Sequence, residues 1–314
     1  MDKYYAFCLL CPNYCKVDRR KSVGRCGMKD EVVVAWSGLH KGEEPPLTGE
    51  KGSGMIFFSG CPLHCAYCQN IQISSCTHEN AVGVPVSVDE LVEMMFALEN
   101  MGAHTLNLVT GTHFIPSIAS ALETACKKGL KLKTVWNSSG YESVEGLEII
   151  DKYIDLYLLD CKTLDGDVAS RFAGTKRYAD VITPVLDYIR KKHKKTDLGK
   201  IEGTILRHLL FPGELASTIK FLKFFAKNYK DNFVLSMMVQ FVPPRENPGF
   251  EKVSEEEYDE ILFAFDEFGI DDGFVQELGD EFPWIPDFTR DNPFPESFAT
   301  PSPYFLSLKG KKRS

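Results

Sequence analysis

The sequence predicts an α/β fold built around a parallel sheet. Six short apolar runs recur between Met55 and Val242, and most are followed by a stretch with helical periodicity. The runs are apolar on both faces, as strands covered by helices are. Right-handed crossovers between them are compatible with a barrel, a partial barrel or a doubly wound open sheet. In each of these the chemistry gathers at the carboxyl ends of the strands.

The elements follow in order. Residues 32–36 read as a strand within a first segment rich in Cys, Gly and Pro. Gly42-Glu43-Glu44-Pro45-Pro46 reads as a loop; His40, Glu43 and Glu44 are expected in a solvated charged turn, with a loop reaching towards the pocket as the alternative. Residues 55–59 form a short buried strand. Ser87 and Glu90 make a capping box that opens a helix carrying Leu91, Met95, Leu98 and Met101. Strands over 105–110, 132–137 and 154–160 alternate with helices over 115–128 and 144–152. Helical stretches then run to about Lys195, where the basic run from Arg190 is expected to be a solvated helix end. A strand over 203–211, a helix over 214–229 and a strand over 233–242 follow. A second capping box, Ser254 and Glu257, starts a helix with Tyr258, Ile261, Leu262, Phe265 and Phe268. Six prolines between Pro283 and Pro303 predict an irregular segment over 280–314 that ends in a loose basic tail from Lys309 to Arg313. Phe282, Trp284 and Phe288 are expected to pack in the core, with a cover over the barrel mouth, near a substrate, as the alternative. The expected organisation is a cysteine-rich module over 1–50, the α/β domain over 51–279, and that terminal segment.

Of 314 residues, 44% are hydrophobic and 25% charged, which is a globular rather than a disordered composition. A formal net charge of -8 argues against a mainly electrostatic grip on nucleic acid. No apolar run reaches the ~18 residues of a membrane span. Cys8, Cys11 and Pro12 interrupt residues 1–15 before a signal-peptide core could form. A cytoplasmic protein is expected, with neither nucleic acid nor membrane among its partners.

The ten cysteines are clustered. Without a secretion signal, close spacing favours metal ligands over disulfides. Cys61-Pro-Leu-His-Cys65-Ala-Tyr-Cys68 has the spacing C-x3-C-x2-C. Three thiolates on one loop can hold three irons of a [4Fe–4S] cluster and leave the fourth open, as catalytic zinc keeps an open position. A zinc site of Cys61, His64, Cys65 and Cys68 is the alternative. It is disfavoured because adjacent side chains in so short a loop rarely converge on one tetrahedral ion. Cys8, Cys11, Cys15 and Cys26, with Pro12, Gly24 and Gly27 among them, supply four thiolates for a second, closed site, either zinc or iron–sulfur. Such a metal would order a segment too small to fold alone. Cys76, Cys126 and Cys161 read as small apolar residues, with Cys161 directed away from the site.

The three-cysteine loop, with Tyr67 before its last cysteine, resembles the hallmark of the radical S-adenosylmethionine (SAM) enzymes, C-x3-C-x-aromatic-C. Further stretches are similar to the branch described as pyruvate formate-lyase activating enzyme-like. They are Gly52-Ser-Gly-Met-Ile-Phe-Phe-Ser-Gly60, Gln69-Asn70, Asn107-Leu-Val-Thr-Gly-Thr-His-Phe114, Asn137-Ser-Ser-Gly-Tyr141, Leu158-Leu-Asp-Cys-Lys162 and Arg207-His-Leu-Leu-Phe-Pro-Gly213. The resemblance implies a partial (β/α)6 TIM-like barrel, a [4Fe–4S] cluster and SAM. In such enzymes an electron from the cluster breaks the C5′–S bond of SAM. The resulting 5′-deoxyadenosyl radical abstracts hydrogen from substrate, inside a barrel that keeps water away.

By the same resemblance, Cys61, Cys65 and Cys68 would bind the cluster and Tyr67 would lie against the adenine. Asn70, Thr110, Gly111, Thr112, Asn137, Ser138, Asp160, Lys162 and Arg207 would surround SAM, with Arg207 meeting its carboxylate. Two stretches depart from the pattern. Thr110-Gly-Thr-His113 replaces a Gly-Gly-Glu-like run, and Asn137-Ser138 replaces an Asp-Thr pair. Bland readings stand beside these. Asp160 and Lys162 also fit a strand-end ion pair, Arg207 a partner for an acidic side chain elsewhere, Asn70 a turn cap, and His113 a satisfied buried histidine. The expected partners are a substrate (a glycyl radical protein, a peptide or a small molecule) and a low-potential electron donor such as flavodoxin or ferredoxin. The competing function is a zinc-stabilised, non-catalytic binding or scaffold protein.

Overall fold

The computed structural model describes residues 2–193, 195–242, 251–279 and 285–311. Phe282, Trp284, Lys194 and the tail residues Lys312 and Arg313 lie outside the described residues. The strands are β1 (Val32–His40), β2 (Ser53–Phe58), β3 (Val84–Val86), β4 (Thr105–Val109), β5 (Lys133–Ser138), β6 (Leu156–Asp160), β7 (Gly203–Leu209), β8 (Val234–Met238), β9 (Gly273–Val275) and β10 (Ala299–Pro301). They form one sheet in the order β10-β1-β2-β4-β5-β6-β7-β8-β9, with β3 paired to β1. From β2 to β9 every neighbour along this path is parallel. β1 runs antiparallel to β2, and β3 and β10 run antiparallel to β1. β9 and β10 stand at opposite ends of the order, so the sheet is not closed. This is the partial barrel of six β/α units that the resemblance implies, with β9 as a short seventh parallel strand.

Both capping boxes form. Glu90 N donates to Ser87 Oγ at 3.1 Å and Ser87 N to Glu90 Oε2 at 2.8 Å. Glu257 N donates to Ser254 Oγ at 3.2 Å and Ser254 N to Glu257 Oε2 at 3.0 Å. The helix Val88–Asn100 buries Leu91, Val92, Met94, Met95 and Leu98, and Ile115–Lys127 buries Ile115, Ile118, Ala121, Leu122 and Ala125. Cys126 on the latter helix is exposed, contrary to its expected apolar role, because it falls on the solvent side of that periodicity; Cys76 and Cys161 are buried. No helix among the described residues is long and apolar enough to cross a membrane.

Three departures from expectation have physical causes. β1 extends to His40, because all nine of its residues are buried and it has partners on both sides. The terminal segment is not wholly irregular: β10 pairs with β1, and Pro303–Lys311 is a helix that buries Phe305 and Leu308. Proline at the start of a helix loses no hydrogen bond, so Pro303 initiates where it was expected to disrupt. The third departure shapes the site. The β1–β2 connection does not lie in solvent. The antiparallel pairing puts it at the amino end of the parallel strands, and it enters the barrel there. Leu47, fully buried, packs with Val135, Leu156, Leu158 and Ile205. An incompletely closed barrel must still fill its interior, and this connection forms the floor.

Candidate functional site

The three-cysteine loop leaves the carboxyl end of β2 through Gly60 (φ +87°). A β-carbon there would lie 2.7 Å from the Cys26 carbonyl oxygen and 2.5 Å from Met28 Cγ. Only glycine allows the loop to cross the amino-terminal module so closely. Further bonds pin the loop. Ala66 N donates to Phe172 O at 2.9 Å, Leu63 N to Cys61 Sγ at 3.5 Å, and Ser74 Oγ to Cys68 Sγ at 3.3 Å. The His64 ring turns to the Arg25 carbonyl oxygen, with Nε2 at 2.8 Å, rather than to the thiols. Among the described residues no three His, Cys, Asp or Glu side chains converge on a single-ion position. A cluster that spreads its ligands over separate irons does not require such convergence. Burial pushes the Cys61 thiol up to about 11 and also raises Cys65 and Cys68, while the Lys162 ammonium opposes the shift at all three. These thiols lose their protons only to a cationic partner.

Lys162 joins the loop to β6. Its Nζ donates to Asp160 Oδ2 at 2.5 Å and lies 5.6 Å from the Tyr67 ring centre. Tyr67 is itself walled by Phe172, Phe211 and Phe241. The Asn70 backbone carbonyl accepts from Ile73 N and Ser74 N, so Asn70 opens a turn without a side-chain cap. Past β4, Thr110 adopts φ +57°, a costly conformation for a β-branched residue, and its N–H donates to Asn137 O at 2.9 Å. A β-carbon at Gly111 would meet Ile118 Cδ1 at 2.6 Å. Ser138 Oγ accepts from Gly140 N at 3.2 Å. Thr112 Oγ1 donates to Glu142 Oε1 at 2.7 Å. Glu142 is buried and raised by burial, and the sequence reading passed over it. Its position just past Ser138 was the available signal.

Arg207 also has a defined setting. Its Nε donates to Glu44 Oε1 at 2.8 Å, and its Nη2 to Glu44 Oε2 at 2.6 Å and Glu43 Oε2 at 2.7 Å. Asn137 Nδ2 reaches the same Glu43 oxygen at 3.5 Å. Glu43 and Glu44 are therefore not a solvated turn; they are carried into the barrel by the β1–β2 connection and paired there. Burial raises Glu43, whereas Arg207 brings Glu44 below its ordinary value against the pull of burial. On β4, Asn107 is 0% exposed, and neither its Oδ1 nor its Nδ2 has a hydrogen-bond partner among the described residues.

The four leading cysteines lie beside this loop. A β-carbon at Gly24 would be 3.5 Å from Cys15 Sγ and 3.7 Å from Cys26 Sγ. Asn13 Nδ2 spans Cys11 Sγ at 3.6 Å and Pro62 O at 2.8 Å. Arg19, 0% exposed, donates to the carbonyl oxygens of Met28, His113 and Lys29, and its charge is supported by Cys26 and Cys8. His113 is buried with Nε2 2.7 Å from Ser59 O, and burial together with Arg19 lowers it to about 3. A surface cleft lined by Tyr5, Asp30, Glu31, Val86 and Ser117 contains none of the candidate residues.

Comparison with known proteins identifies the family of the chain. Residues 55–225 match the family model of the radical SAM superfamily. An uncharacterised protein of Methanocaldococcus jannaschii, MJ0674, is 30% identical over 272 residues, covering 84% of this chain and 75% of its own. The crystal structure of Streptococcus suis SuiB bound to precursor peptide SuiA superposes with a TM-score of 0.50 at 15% identity, over 71% of this chain and 47% of that one. The chain thus spans about half the length of SuiB. A domain of pyruvate-formate lyase-activating enzyme from Bacteroides vulgatus gives a TM-score of 0.37 at 12% identity, over 51% of this chain and 89% of that one. With an open parallel barrel, a three-cysteine loop at the carboxyl end of its first parallel strand, and a family match across more than half of its length, the chain belongs to the radical SAM superfamily.

Proposed function

We propose that this protein is a radical SAM enzyme that holds a [4Fe–4S] cluster on Cys61, Cys65 and Cys68 and binds SAM along the carboxyl ends of the strands. The observation that carries this reading is the donor set. Three free cysteines, Cys61 buried and Cys65 and Cys68 half-buried, share one loop, each under the influence of the Lys162 ammonium. When bound, the cluster would supply one electron to SAM, whose cleavage yields methionine and a 5′-deoxyadenosyl radical.

The protein's own contributions follow from its geometry. Lys162 offsets thiolate charge and is fixed by Asp160. Tyr67 and its three phenylalanine neighbours exclude water beside the cysteines. The strained Thr110 turn, with Gly111, Thr112, Asn137 and Ser138, presents backbone and hydroxyl groups at the adjoining strand ends, where SAM would be oriented. Arg207 could meet a SAM carboxylate only in competition with Glu43 and Glu44. Activation of a glycyl radical protein is the finer reading that the sequence stretches support, with a peptide or small molecule as the other substrate classes, and flavodoxin or ferredoxin suits the electron supply. Cys8, Cys11, Cys15 and Cys26 are proposed as a second metal site; since no three ligands converge on one ion position among the described residues, iron–sulfur is favoured over zinc. The buried Arg19 supports this site, because its guanidinium would offset the charge of metal-bound thiolates at Cys26 and Cys8.

Anaerobic reconstitution tests both sites. The protein should bind roughly four irons at the three-cysteine loop and release 5′-deoxyadenosine from SAM with dithionite. Cys65→Ala should abolish that release; persistence would reject the loop. Cys11→Ala should lower metal content independently; unchanged content would reject the second site.

A further inference from the structure

We propose that the floor of the barrel binds a cationic group of the substrate, an ammonium or guanidinium, between Glu43 and Asn107. This deepens the radical SAM reading and rests on it for the word substrate.

The β1–β2 connection lies across one face of β4 and β5. Thr105 Oγ1 donates to Leu47 O at 3.0 Å, and Asn137 Nδ2 approaches Glu43 Oε2 at 3.5 Å. Side chains two apart on a strand share a face. Asn107 follows Thr105 by two and pairs in register with Val135, two before Asn137. It therefore faces the same connection, between those two contacts. Its amide is fully buried with both polar atoms unmatched among the described residues. Native interiors rarely leave a whole amide unsatisfied, and such a group marks a place that something else fills.

Charge selects what fills it. Glu44 takes a two-pronged bond from Arg207, and Glu43 shares only Nη2. Two carboxylates thus face one guanidinium. Lys162 is committed to Asp160, and His40, 3.9 Å from Glu43, is lowered to about 4 by burial and Arg207, so it brings no charge. Burial raises Glu43 against the opposing pull of Arg207. An N–H-bearing cation can donate to a Glu43 oxygen and to Asn107 Oδ1 together. An anion would meet two carboxylates and would reach Arg207 only by displacing them.

The test uses the full, reconstituted chain with n-butylammonium as probe and n-butanol as its uncharged counterpart, read by calorimetric titration and thermal unfolding. Butylammonium should bind saturably and raise Tm, and butanol should not. Glu43→Gln and Asn107→Leu should each weaken binding by at least about tenfold. Asn107→Leu should also leave the unligated Tm unchanged or higher, since it removes two unmatched polar atoms. Butylammonium should bind the SAM-loaded protein, and SAM affinity should be unchanged in Asn107→Leu. Equal binding of butanol, unimpaired binding by Glu43→Gln, or an Asn107→Leu variant that loses stability but not binding overturns the proposal. So does competition between butylammonium and SAM, which would make the cation the SAM amine. SAM cleavage is read separately as 5′-deoxyadenosine. Cleavage without cation binding rejects the floor site alone, and cation binding without cleavage rejects the radical reading on which the substrate assignment rests.

Discussion

Arg207 and Glu44, 163 residues apart in sequence, meet through two charge-assisted bonds of 2.8 and 2.6 Å inside the barrel. The pair ties β7 to the connection that forms the barrel floor, and Glu43 joins it through the same guanidinium nitrogen. Removing one member of a buried pair strands the other's charge. Arg207→Ala should therefore cost about 3–5 kcal/mol in chemical denaturation. The cost should fall at acid pH, where the glutamates take up protons. Arg207→Lys keeps the charge, loses the fork and should cost less. An Arg207→Ala protein as stable as wild type would mean that the cluster is solvated.

His208 predicts an acid limb in stability. It is buried between Cys161 O at 2.6 Å and Thr218 Oγ1 at 3.0 Å, and burial lowers it to about 4 from an ordinary value of 6.5. The unfolded chain takes up this proton first. Stability is thus complete above about pH 6.5 and declines as pH falls towards 4, by up to about 3 kcal/mol. Denaturant melts of His208→Gln should show a pH slope smaller by nearly one proton between pH 6 and 5. An unchanged slope would place the acid sensitivity elsewhere.

Gly60→Ala should damage both cysteine groups together. The new methyl would press on the Cys26 carbonyl and Met28 at a positive φ. Strain of this kind costs about 1–3 kcal/mol. A lowered Tm with concurrent loss of iron from the three-cysteine loop is expected; a neutral variant would show that the two segments can separate freely.

Ser74→Ala should lower the midpoint potential of the reconstituted cluster. The Ser74 hydroxyl donates to Cys68 Sγ at 3.3 Å, and a hydrogen bond to sulfur stabilises the reduced, more negative state. A bond of about 1 kcal/mol corresponds to about 40 mV for a one-electron couple. Redox titration followed by electron paramagnetic resonance reads the shift; no change or a positive shift would remove Ser74 from this role.

Chain-local chemistry accounts for what could be read from the sequence alone. The spacing of Cys61, Cys65 and Cys68 confines three thiols to one loop whatever surrounds it. Ser87 with Glu90, and Ser254 with Glu257, are capping pairs only three residues apart. The apolar runs that became β2, β4, β5, β6, β7 and β8 carry their burial in their own composition. The sequence by itself thus determined the strand–helix alternation, the cysteine loop and the ends of two helices, because each depends on groups held near one another by covalent connection. The role of Glu43-Glu44 was decided elsewhere. In sequence, two acids before two prolines read as a solvated turn, and Asn107 reads as one polar residue in an apolar strand. Only the tertiary structure turned the β1–β2 connection into the barrel, set Glu44 against Arg207 and faced Asn107 towards it. The energy of those contacts comes from excluding water around charges far apart in the chain, and no local pattern encodes that exclusion.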